Sequence, residues 1–99
     1  MKFQVADREW TISEKYDNEL LAAGHIGECR SIDSLLVLYS GLKKDMKQRT
    51  LRHEMVHCLL NVYNLDSDKK RYTEEELCEF VAIHMPFIDK IVKNYFKSA

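Results

Sequence analysis

The chain is short of glycine, proline, long apolar runs and net charge, and each shortage excludes something. Three Gly and one Pro in 99 residues, with no repeat and no Pro- or Ser-rich tract, leave no linker at which a second domain could begin. The longest uninterrupted apolar run, Leu35 to Tyr39, is far below the length that crosses a bilayer, and the opening MKFQVADREW lacks an apolar signal core. The expectation is a cytoplasmic protein with no membrane segment. Fifteen Lys and Arg against sixteen Asp and Glu give a formal charge of -1, which removes the bulk electrostatic argument for a nucleic-acid partner. The one basic run, KKDMKQR at 43–49, reads as a solvated helix face. Three cysteines form no C-x-x-C pair, and an odd number cannot all pair within one chain, so they read as free thiols in a reducing compartment. What is present, 45% hydrophobic and 31% charged residues, describes a single globular domain over 1–99. A chain this short buries roughly 60–70% of its unfolded surface, enough for one core, so any active site is an open groove.

Periodicity divides the chain in two. Up to about residue 40, short alternating patches (Phe3/Val5, Trp10/Ile12, then Ile26, Cys29/Ile32 and LLVLY), punctuated by Gly24, Gly27 and Gly41, predict two or three short strands. The best defined lies at about 34–39, and 14–23 stays open between a short helix and a loop. From about Asp45 to Asn61, Leu51, Met55, Cys58, Leu59 and Val62 recur at helical spacing. A second helix follows a polar connection. Thr73 offers an N-cap with Glu74, Glu75 and Glu76 in the first turn and a capping box to Glu76. Leu77, Phe80, Val81, His84, Ile88, Ile91, Val92 and Tyr95 carry it to about Phe96, with a kink or break expected near 82–86 from Pro86. The fold class is α+β: a small N-terminal antiparallel or mixed sheet packed on two main helices.

Residues 53–57 read His53-Glu54-Met55-Val56-His57, the H-E-x-x-H pattern, inside the first helix. Residues four apart differ by about 40° around the axis and one turn of rise, so the two imidazoles can converge on one tetrahedral cation. Glu54 follows His53 by about 100°, which suits holding and deprotonating a water better than ligation. A catalytic zinc site takes a third protein ligand, and the acidic start of the second helix supplies several. Glu75 and Glu79 share a side, Glu74 points outward and Glu76 is engaged by the capping box. Glu75 is the preferred ligand, with Glu79 bonding the far nitrogen of a ligating histidine. The reverse assignment, or Glu76, stays open. His84 is turned away from Glu75, His25 sits in a Gly-flanked loop, and Cys58 and Cys78 read as packing residues. Two imidazoles and a carboxylate prefer zinc to harder ions, one per chain.

These segments, TLRHEMVHCLL at 50–60 and EELCEFVA at 75–82 with the LLVLY strand before them, resemble the minimal gluzincin-type zinc metallopeptidases of the ImmA/IrrE-like group over roughly residues 27–90. The resemblance implies a zincin-like core, His53, His57 and Glu75 as ligands, Glu54 as general base and Glu79 behind them. No helix-turn-helix or sensor segment accompanies the core as it does in larger relatives. Peptide hydrolysis then needs a donor for the developing oxyanion, and Tyr72, one turn before Glu75, is preferred to Tyr63 and Arg52. The substrate would be a peptide or protein segment that extends the sheet along the strand at 34–39. The alternative is a catalytically silent interaction module in which zinc staples the two helices.

Overall fold

The computed structural model describes residues 1–16, 26–63 and 72–97. The fold is α+β. Strands β1 (Lys2–Val5), β2 (Arg8–Lys15), β3 (Gly27–Arg30) and β4 (Leu35–Tyr39) precede helices α1 (Lys44–Val62) and α2 (Glu74–Lys97). The sheet order is β1-β2-β4-β3, with β2 and β4 parallel and the other pairs antiparallel, a mixed sheet.

Strand side chains alternate between faces, so Phe3 and Val5 on β1, Trp10 and Ile12 on β2, and Leu36 and Leu38 on β4 form one apolar layer. Leu51, Met55, Cys58 and Leu59 of α1 pack on that layer with Ile88, Ile91 and Val92 of α2. Both helices lie where periodicity predicts them, and α2 opens on the expected capping box. Thr73 Oγ1 accepts from the Glu76 amide at 3.1 Å, and Glu76 Oε1 accepts from the Thr73 hydroxyl at 3.1 Å. Polar ties join the elements. Arg52 meets Asp89 at 3.2 Å across the helices, and Glu14 on β2 accepts from Lys47, Ser40 and Tyr95.

Several expectations are corrected. Four strands are present among the described residues rather than two or three, because β3 is short and half polar and gives little alternation. The strand expected at 34–39 is not an edge. LLVLY is the most apolar strand, its middle three residues are buried, and it takes partners on both sides, β2 and β3. The outer strands are β1 and β3. Helix α2 continues through Pro86, which is exposed, as is Ala82, so the carbonyl that proline leaves unbonded faces solvent. Only the second half of α2 enters the core: Leu77 and Ile83, at 38% and 63% exposure, stay outside it. The open stretch at 14–23 begins as strand to Lys15, while 17–23 and His25 lie outside the described residues. Among the described residues no helix is long and apolar enough to cross a membrane.

Candidate metal centre

Helix α1 presents its motif as one buried and two exposed side chains. Thr50, Glu54 and Cys58 follow one another at intervals of four, and all three are buried on the face turned to the sheet. His53 and His57 stand on the exposed flank with ring centroids 5.0 Å apart and planes at 66°. The three motif residues line one open groove of about 340 Å³ with Gly27, Glu28 and Cys29 of β3, Ser31 beyond it, and Asn61 one turn after His57.

Strand β3 forms the wall of this groove, and its register shows which groups it turns there. The Tyr39 amide donates to the Ile26 carbonyl at 2.9 Å, so residues 26 and 39 form a hydrogen-bonded pair. Gly27, opposite Leu38, is then a non-hydrogen-bonded pair whose N–H and C=O point away from β4, toward the outer edge. Pairing also puts Gly27 on the face of Leu38, toward α1, while Glu28 and Arg30 form an ion pair at 3.2 Å on the other face.

Arg8 braces the end of the groove. Its guanidinium lies 4.8 Å from the Trp10 ring centroid and donates to Ser34 Oγ at 2.7 Å, to Asn61 Oδ1 at 3.3 Å and to the Ser31 carbonyl. Guanidinium only donates, so the Asn61 oxygen faces Arg8 and its amide nitrogen faces away.

The acidic candidates collect in a second groove of about 540 Å³, where Tyr72, Glu75, Glu76 and Glu79 line the wall with Leu60, Leu77 and Phe80. Leu60 is one turn beyond His57 and, seven residues on from His53, within about 20° of it around the axis, so this groove opens from the same flank of α1. Among the described residues no three His, Cys, Asp or Glu side chains are grouped to hold a metal. The structure thus brings His53, Glu54 and His57 together, and separately Glu75, Glu79 and Tyr72. Of the weaker oxyanion candidates, Arg52 is paired with Asp89, and Tyr63 stacks on His84 with centroids 5.3 Å apart. His84 also packs against Phe80, one turn earlier on α2, at 4.5 Å.

Burial pushes the Cys58 thiol up to about 12, with nearby Cys29 adding to the rise and Arg8 opposing it, so it stays protonated and packs. Sequence reasoning missed Gly27, Arg8 and Asn61. Only Asn61, four residues after His57, carried a signal in its spacing. The two exposed imidazoles, an i, i+4 pair on one helix, are two of the three protein donors that a catalytic zinc site takes. No protein-family model, no curated protein and no solved structure matches the chain.

Proposed function

We propose that the chain is a zinc-dependent metallopeptidase of the minimal gluzincin type. The observation that carries this reading is the shared groove in which His53 and His57 flank buried Glu54 beneath the outer strand of the sheet. His53 and His57 would hold the ion with Glu75 as third ligand, and Glu79, one turn later on α2, would bond a ligating histidine. When bound, zinc supplies a Lewis acid for the scissile carbonyl and lowers the pKa of a coordinated water. Glu54 takes a proton onto its carboxylate from the attacking water and returns it to the leaving amine. Tyr72 remains the proposed oxyanion donor, in the groove with Glu75. The peptide pairs with β3 rather than with the strand at 34–39, because Gly27 turns its backbone groups outward beside Glu54. A cytoplasmic setting belongs to the same proposal and accords with Cys29, Cys58 and Cys78 standing in no disulfide.

Protein purified without chelator should carry one zinc per chain by elemental analysis, lost on replacing His53, His57 or Glu75. Glu54→Gln should keep the zinc and lose hydrolysis of an unfolded protein substrate by at least about a hundredfold. A chain that binds no divalent cation would falsify the reading. The second reading, a silent module stapled by zinc, is favoured by one observation: residues 74–79 of α2 are exposed and touch the core little, so a metal shared with α1 would anchor them. It predicts zinc binding with no hydrolysis for Glu54→Gln to remove.

A further inference from the structure

Gly27 opens β3 in ordinary strand conformation, so no backbone angle requires glycine there, but the space around it does. A Cβ at this position would stand 2.5 Å from Thr50 Cγ2, 3.2 Å from Glu54 Cγ and 3.3 Å from Glu54 Oε2. Carbon pairs settle at about 3.5–4.0 Å, so the first contact is prohibitive and the other two are tight. Thr50 is β-branched, with a restricted χ1, and only 5% exposed, so it cannot turn aside, and Glu54, 7% exposed, can yield only into the groove it lines with His53 and His57. Glu54 therefore lies against the bare backbone of β3. An unconfined glutamate samples many rotamers, and each one removed by packing is a misplaced proton acceptor fewer.

We infer that Gly27 is a positioning residue for Glu54, its missing side chain holding the carboxylate in the groove of His53 and His57. This rests on the hydrolase reading and adds that the strand edge and the proton-accepting group are set by the same close approach. The two contacts separate the role in folding from the role at the site. Thr50→Ser removes the Cγ2 that an alanine at 27 strikes first, and leaves the tight contacts with Glu54.

The experiment uses the cobalt-loaded protein at one fixed pH and acetohydroxamic acid as probe, followed by the visible bands of the metal. Chelated to the ion, the probe presents a hydrogen-bond donor to the groove, and the Glu54 carboxylate beside His53 and His57 would accept it, so affinity reports where that carboxylate sits without a peptide substrate. Thr50→Ser should bind the probe like the unaltered protein. Gly27→Ala with Thr50→Ser should melt close to Thr50→Ser and bind about tenfold more weakly, the loss of one charge-assisted hydrogen bond. Adding Glu54→Gln should then cost nothing further, since both changes remove one interaction.

The inference is overturned if the double variant binds as tightly as Thr50→Ser, if its loss adds in full to that of Glu54→Gln, or if it fails to fold, which would make Gly27 a packing residue alone. Cobalt binding is read first: an unaltered protein that binds no cobalt overturns the hydrolase reading itself, and this role with it.

Discussion

Cys58 and Cys78 are the same chemical group in opposite surroundings. Cys58 is fully buried with its thiol held protonated, whereas Cys78 is exposed on the first half of α2. A thiol-reactive reagent should label Cys78 in the native protein and reach Cys58 only as the chain unfolds, which mass spectrometry against denaturant concentration checks. Single residues were legible in the sequence where their role is local. His53, Glu54 and His57 lie within five positions and need only a helix to converge. Gly27 and Arg8 were not legible, because what they do depends on distant pairing. Arg8 reaches Ser34 across 26 residues and Asn61 across 53, and the crowding at Gly27 comes from Thr50 and Glu54.

Between elements, the strongest polar tie is the Glu14 carboxylate of β2, which accepts from Lys47 of α1 at 2.6 Å and from the Tyr95 hydroxyl of α2 at 2.5 Å. Burial raises the Glu14 pKa, but the bonds from Lys47 and Tyr95 and the lysine charge outweigh it and hold the carboxyl below its ordinary 4.5. Burial and the same carboxylate push the Tyr95 phenol up, so it remains a donor. A carboxyl depressed in the folded state contributes stability that is complete above its unfolded value and is lost as pH falls through the folded one. The melting temperature should therefore drop as the medium is acidified below 4.5, and Glu14→Gln should flatten that part of the profile. Among elements, α1, α2 and the capping box were readable because period and cap are local signals. The place of β4 in the sheet was not. An apolar five-residue run says that a strand is buried without saying which strands flank it.

At the scale of the molecule, the sheet and the second half of α2 form one core, and the first half of α2 projects beyond it with the acidic groove. The proposed zinc ion, held by both helices, would stabilise by about 4 kcal/mol at a thousandfold excess over its dissociation constant, so a chelator should then lower the melting temperature by on the order of 20 °C. Hydrogen exchange should show the loss of protection concentrated in residues 74–80, since residues 88–92 stay in the core without the ion. The α+β class was legible from the switch of period midway along the chain. Which groove each carboxylate would line was not, because it depends on how α2 lies against α1.

The outer strand that walls the histidine groove is four residues long. It can grip a guest chain over only about 13 Å, too little to read a long sequence but enough to require that the guest be straight. On the proposed hydrolase reading, targets would be sorted by looseness more than by spelling: a compact protein would pass untouched, and the same protein once melted would be cut at many places. Digests of one substrate above and below its own melting point should differ accordingly.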